Sequence, residues 1–158
     1  MRVGLGYDVH RLVKGRDLVL GGVNIPFDRG LKGYSDADVL LHAVIDALLG
    51  AVSKGDIGKH FPPGDPRFKD ISSLLLLKTA GKILKKGRIK INNIDTVIIA
   101  ERPKLSSYTA RMEKKIAACL KIAASKVCVK AKTAEGLGDT GKGRAIEAFA
   151  VCLVDTAK

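Results

Sequence analysis

The chain has 158 residues, a formal net charge of +12 at pH 7 and three cysteines. No apolar run approaches the ~20 residues that span a bilayer. With aromatics at only 4% and no tryptophan, there is little to build the stacking platforms that hold single-stranded nucleic acid.

This length suits one domain over residues 1–158 with a sizeable core. A cationic surface attracts anions, from nucleic acid to phosphorylated metabolites, so an anionic substrate is one partner the charge allows. Lys78, Lys82, Lys85, Lys86, Lys114, Lys115 and Lys121 fall on expected helix faces and read as solvated surface. Cys119, Cys128 and Cys152 lack metal-type spacing and read as core residues of a reducing compartment, so a cytoplasmic location is expected. Met1 leads directly into a strand-like pattern, so no signal or transit segment is expected.

Taken in chain order, Arg2 to Leu12 alternates as a strand with Val3, Leu5 and Tyr7 on one side. Asp8 and His10 stand two apart and therefore share a face. Leu18 to Ile25 is a strand broken at Gly21-Gly22, a bulge or hairpin signal. Pro26 to Tyr34 is a glycine-punctuated loop. Between Val39 and Val52 only His42 and Asp46 are polar, which predicts a helix buried on nearly every face. Asp38, His42 and Asp46, one turn apart, project from one side of it.

A polar side chain on such a helix must be paired or bound. His42 is either a satisfied core histidine or a ligand. Asp8-x-His10 alone reads equally as a surface ion pair. Together, however, the three supply convergent N and O donors with one position open, the pattern of a catalytic zinc site.

Gly55 to Pro66 is rich in turn formers and reads as a binding loop or lid; His60 lies there as a loop residue rather than a ligand. Asp70 to Lys86 has helical spacing, and Arg88 to Glu101 is the clearest strand region. Ser106 or Ser107 to Ala124 predicts a helix with Met112, Ile116, Leu120 and Ile122-Ala123 inward. Val127 to Thr133 alternates as a strand, while Arg144 to Ala157 fits helix or strand. The order predicts an α+β fold with helices packed on one face of a mixed β-sheet, in βαβ, ferredoxin-like units.

The stretch Thr133 to Arg144 holds two near-motifs. Gly136-x-Gly138-x-x-Gly141 has the letters of a dinucleotide fingerprint, but the chain ends before the required acidic residue. Gly136-x4-Gly141-Lys142 would be a Walker loop, except that Gly143 stands where the magnesium-binding hydroxyl belongs. Its amides, with Lys142 and Arg144, can still bind phosphate, and Glu135 can hold a phosphate-bridging cation. A plain glycine hairpin is the competing reading.

Several stretches together resemble the 2-C-methyl-D-erythritol 2,4-cyclodiphosphate synthase family. They are Gly6-Tyr7-Asp8-Val9-His10, Gly21-Gly22-Val23-x-Ile25-Pro26, Ser35-Asp36-x-Asp38-Val39-x-x-His42-Ala43 and Asp46-Ala47-Leu48-Leu49-Gly50-Ala51. Gly55-Asp56-Ile57-Gly58-x-x-Phe61-Pro62, Asp65-Pro66 and Thr133-x-Glu135-x-Leu137-Gly138-x-Thr140-Gly141 complete the set, which covers essentially the whole chain.

The resemblance implies a homotrimer around a three-fold axis, with active sites between subunits and no nucleic-acid or membrane partner. It implies a cytidine-diphosphate substrate, 4-diphosphocytidyl-2-C-methyl-D-erythritol 2-phosphate, cyclised with release of CMP. Zinc is expected on Asp8, His10 and His42, and magnesium or manganese by Glu135. Asp8, Val9, His10, Tyr34 and Ser35 would contact substrate. Asp56, Ile57 and Gly58 would hold its erythritol hydroxyls, and Phe61, Pro62, Pro63, Gly64 and Asp65 would cover it. Ala100, Glu101, Arg102, Pro103, Lys104, Leu105 and Ser106 would bind cytosine, largely through backbone groups. Lys132, Thr133, Ala134 and Glu135 would meet the phosphates and ribose, joined by Asp139 and Lys142. Tyr34 and Thr133 would steady the transition state. Asp38 and Asp46 are candidates to support the zinc histidine.

The chain departs from the family's pattern at Tyr34, where histidine is usual, and at Lys132, Asp139 and Lys142. A phenol donates one hydrogen bond but cannot become a cation near neutral pH. Lys132 could supply the missing charge. Two other classes stay open on the residues alone: a zinc-dependent phosphohydrolase and a basic RNA-binding α+β domain.

Overall fold

The computed structural model describes residues 1–156, so Ala157 of the expected tail lies outside the described residues. In chain order it forms β1 (Arg2–Val13), β2 (Leu18–Leu20), β3 (Val23–Ile25), β4 (Gly30–Leu31), α1 (Val39–Ala51) and α2 (Ile57–His60). Then come α3 (Ser73–Lys86), β5 (Ile89–Ile99), α4 (Thr109–Leu120), β6 (Val127–Lys132), α5 (Gly138–Gly141) and β7 (Ala145–Thr156).

Five strands make one mixed sheet in the order β4-β1-β7-β5-β6. The long strands β1 and β7 pair antiparallel from Arg2↔Val154 to Arg11↔Ala145. β5 pairs antiparallel with β7 and parallel with β6. α4 is the crossover that a parallel pair requires, so β5–α4–β6 is a βαβ unit. The glycine break in Leu18–Ile25 is a hairpin: β2 and β3 pair on each other, and Gly21 and Gly22 both take positive φ. That is what a two-residue turn of the primed type needs. The tail is a strand, because its alternate residues Ile146, Ala148, Ala150, Cys152 and Val154 are buried.

Helices α1, α3 and α4 cover one face of the sheet. α1 comes closest, and β1 makes this possible by having no side chains at Gly4 and Gly6. A Cβ there would stand 1.9 Å from the Ala47 carbonyl oxygen and 2.0 Å from that of Ala43. Helix backbone therefore rests almost directly on strand backbone. The other face of β1 carries Val3, Leu5, Tyr7 and Val9, all exposed, Val3 at 66% and Leu5 at 67%. The alternation was legible; which side is covered was not, because the two glycines, rather than the apolar residues, face the helix.

Three smaller expectations change. α4 ends at Leu120 with Lys121 in the left-handed region, so Ile122 and Ala123 lie beyond it and Ala123 is exposed. Cys128 is exposed and Cys119 only partly buried, leaving Cys152 as the core cysteine. The loop after α1 holds the short α2 and a 3-10 turn at Pro66–Phe68.

Candidate functional site

The close fit of α1 on β1 sets the site. His42, in the first turns of the helix, is carried to Asp8 and His10 on the strand's covered side. His42 Nδ1 and His10 Nε2 each lie 2.9 Å from Asp8 Oδ2, and 3.1 Å from one another. This is one cluster of potential metal donors.

The hydrogen bonds around the cluster fix where its lone pairs point. His10 Nδ1 lies 2.8 Å from the Lys32 carbonyl and must donate to it, so Nε2 carries the lone pair. His42 Nε2 lies 2.9 Å from Ser73 Oγ. Ser73 Oγ gives its proton to Asp36 Oδ1 at 2.5 Å, so it accepts from His42 Nε2–H. The lone pair of His42 is therefore on Nδ1. Two imidazole lone pairs and a carboxylate oxygen converge on one point, an arrangement that repels itself unless a cation lies between them. Tetrahedral zinc with ligands at ~2.0–2.1 Å holds its donors roughly 3.3 Å apart, close to these separations. The residues fit zinc.

The three groups are electrostatically coupled. Burial would raise Asp8, but hydrogen bonds and charge from His10 and His42 outweigh it and hold the carboxyl well below its usual range. Burial pulls His10 down; its hydrogen bond and charge contact with Asp8 reverse this and raise it.

A pocket of about 210 Å³ opens over the cluster, lined by Asp8, His10, His42, Tyr34, Ser35, Ile57, Gly58, Phe61 and Pro63, with Phe68 and Leu76. The loop holding Tyr34 and Ser35 is strapped down by Arg16, whose Nη2 donates to the Ser35 carbonyl at 2.5 Å. Tyr34 accepts from the Asp70 amide through its own carbonyl at 2.8 Å. Phe61 meets Phe68 edge-on, with ring centroids 5.4 Å apart.

A second pocket, of about 650 Å³, lies where β5 and β6 end, lined by Ala100 to Ser106 together with Phe27, Ala131, Lys132 and Thr133. Glu101 Oε2 is buried without a hydrogen-bond partner among the described residues. The two pockets share no lining residue.

The model of the YgbB family matches residues 1–155. The chain belongs to the YgbB family. It is 56% identical over 153 residues to the 2-C-methyl-D-erythritol 2,4-cyclodiphosphate synthase of Caldicellulosiruptor bescii, covering 97% of this chain and 98% of that one. The IspF–CDP complex of Plasmodium falciparum superposes with a TM-score of 0.86 at 35% identity, covering 99% of this chain and 97% of that one. The bifunctional IspDF of Campylobacter jejuni gives a TM-score of 0.94 at 37% identity. This chain is covered to 99% there and spans 42% of that longer protein.

In this YgbB chain the remaining expected residues lie outside both pockets. Val9 points to the bare face of β1. Asp56 caps α2 by accepting from the Lys59 amide at 2.9 Å, and Asp65 is paired with Arg67. Pro62, Gly64, Ala134, Glu135, Asp139 and Lys142 line neither pocket. Thr133 Oγ1 donates to Glu135 Oε1 at 2.6 Å, and Asp139 pairs with Arg144 at 2.8 Å.

The two acids expected to support His42 do other work. Asp38 is wholly buried and accepts from the amides of Gly21, Gly22 and Leu41, so it caps α1 and ties down the β2–β3 turn. Burial pushes its carboxyl up to about 6 against those donors. Asp46 Oδ1 accepts from the Ile57 amide at 2.7 Å and holds the loop over the pocket. The residues that meet His42 Nε2, the ring nitrogen turned away from the cluster, are Ser73 and, at 3.3 Å, Ser35. Ser73 was missed because it lies 31 residues along the chain, at the start of α3; only the packing of α3 beside α1 brings it close.

Proposed function

We propose that the chain converts 4-diphosphocytidyl-2-C-methyl-D-erythritol 2-phosphate to 2-C-methyl-D-erythritol 2,4-cyclodiphosphate with release of CMP. The convergence of Asp8, His10 and His42 lone pairs in a pocket of a YgbB fold carries this reading. Asp8, His10 and His42 would hold zinc, and the Lewis acidity it would supply there suits activation of a phosphate. The nucleophile is already an anionic phosphate, so the chain needs no strong general base. Its task is positioning and charge stabilisation.

Ile57 and Gly58, with Asp56, would orient the erythritol part, and Phe61 and Pro63 would exclude water above it. The pocket at Ala100–Ser106 would take the cytosine, where the free acceptor on Glu101 suits an exocyclic amino group. Lys132 and Thr133 would receive the phosphates, and Glu135 would offer a carboxylate to magnesium or manganese, which would supply charge neutralisation there. Lys142 would act there as a point charge.

The substrate must reach both a metal and a base pocket, and in one chain these are separate. The apolar, uncovered face of β1, continued by Phe149 and Val151 of β7, is a surface that water does not favour. Three copies packed on these faces around a three-fold axis would bury it and join one chain's metal pocket to a neighbour's base pocket.

Phosphorus NMR of protein, zinc, magnesium and substrate tests the reading. A cyclic diphosphate with equimolar CMP is expected; a linear phosphate product would show water as the nucleophile instead. His42→Ala should keep the fold and lose roughly 10³-fold or more in turnover, several kcal/mol of transition-state stabilisation. Metal analysis should find it without stoichiometric zinc.

A further inference from the structure

At the end of the sheet away from the metal pocket, a cleft of about 770 Å³ opens between the C-terminal ends of α3 and α4. Its position follows from the strand register. Ile91 on its floor pairs with Val154, opposite Arg2, whereas Ile99 pairs with Glu147, opposite Val9. Seven residues of β1, from Arg2 to Val9, separate the two levels, roughly 23 Å.

The floor is aliphatic, formed by Leu84, Ile89, Ile91, Leu120 and Ile122, and the lining contains no aromatic ring. Gly81 keeps it open, since a Cβ there would press to 3.2 Å from Leu120 Cδ2. The rim is cationic. Lys78, Lys82 and Lys85 line it along α3, Arg88 in the turn into β5, Lys90 at the start of that strand, and Lys121 and Lys126 after α4. Seven of fifteen lining residues are cations and none is an acid. Among the described residues none of the seven meets a carboxylate within 4.0 Å.

Local structure accounts for two of these charges. Lys85 sits in the last turn of α3, where a cation favours the helix dipole. Lys126 Nζ donates to the Ile91 carbonyl at 3.0 Å. The other five repel one another around an apolar floor. A charge excess that reads in the sequence as separate solvated lysines is, in part, a single concentrated feature.

Its shape and charge together narrow the occupant. A lone phosphate or carboxylate engages two or three cations, not a ring of them. Nucleic acid would satisfy the ring but finds nothing to stack on and leaves the aliphatic floor uncovered. An acidic protein segment meets both demands, with Asp or Glu for the rim and aliphatic anchors for the floor. Lys78 to Lys85 spans seven residues of helix, roughly 10 Å, the length of two turns of a partner helix laid in the groove. We infer that this cleft docks an acidic amphipathic helix of a partner protein, and that it does so without obstructing the metal pocket.

The probe is a fluorescein-labelled helical peptide of Leu and Glu with its leucines at i, i+4 and i+7, read by fluorescence anisotropy. It should bind once per chain. Lys82→Glu with Lys85→Glu should weaken it at least about tenfold. Ala123→Trp, which puts a bulky ring on the lining of the cleft without changing charge, should weaken it by about as much. Both variants should keep the parent's thermal midpoint and turnover. A scrambled peptide of the same composition and inorganic polyphosphate should bind at least tenfold more weakly. Equal binding by either control, or undiminished binding to Ala123→Trp, would overturn the inference, as would an RNA oligonucleotide that binds more tightly than the peptide. No binding by the peptide would overturn it as well.

Discussion

The two faces of β1 have opposite histories in the fold. On the covered face Gly4, Gly6, Asp8 and His10 meet α1, and every group there is spoken for by helix backbone or by the ligand cluster. On the other, Val3, Leu5, Tyr7 and Val9 stand in solvent beside Val151, itself 42% exposed. A polar-out, apolar-in strand would show the reverse. The difference teaches that helix packing on this sheet is driven by close approach rather than by apolar area alone. The larger side chains are left on the uncovered face.

The sharpest way to break that contrast is Gly6→Ala. One methyl would collide with the Ala43 carbonyl, a backbone atom that can yield only if α1 lifts away. We expect a loss of about 3–5 kcal/mol by urea unfolding, at the upper end of overpacking effects. A loss under ~1 kcal/mol would mean that helix and strand are not held as closely as the geometry states. The opposite face should respond differently. Leu5→Asp with Val151→Asp places charges on the surface proposed to pack in a trimer, where an unpaired charge would be expensive to bury. Light scattering should then give the mass of one chain with unchanged circular dichroism. A trimer that survives both charges would remove the bare face as its contact.

These contrasts bear on what a reader of the residues can see. The period-two spacing of Asp8 and His10 and the two polar residues of an otherwise apolar helix made three donors visible before any coordinates. Helices α1, α3 and α4, and the β5–α4–β6 unit, follow from periodicity that burial then enforces, whereas the short α2 and α5 fall in stretches that read as loop. Less visible were features made by distance in sequence. No local pattern reveals that Gly4 and Gly6 face a helix, or that Ser73 reaches His42. Asp38 and Asp46 have the right spacing for the histidine, yet nearer backbone amides compete for their oxygens and win. Spacing on one helix says which side a group leaves from, not which donor it meets.

Ser73 gives a smaller and more discriminating effect. Removing its hydroxyl leaves His42 Nε2–H without its nearest acceptor and leaves Asp36 with one donor fewer. Supporting partners of metal histidines are worth 10–100-fold in affinity, so Ser73→Ala should weaken zinc binding by roughly that factor in a competition titration. Ser73→Thr, which keeps the hydroxyl, should recover most of it. If Ser73→Ala binds zinc as the parent does, Ser35 at 3.3 Å is the acceptor that orients the ring.

The mildest change concerns Tyr34, on the wall of the metal pocket and 37% exposed. Its backbone is anchored by the Asp70 amide, so Tyr34→His should alter the side chain and leave the loop in place. A neutral phenol offers one hydrogen bond, worth about 1 kcal/mol, whereas an imidazolium offers a charge-assisted one worth up to about 2–3. Turnover should therefore hold or rise by up to roughly tenfold. Any gain should be largest below the imidazole's own pKa, where the ring is charged, and should fade as pH rises through it. A pH-independent fall in turnover would instead assign the phenol a role that imidazole cannot fill.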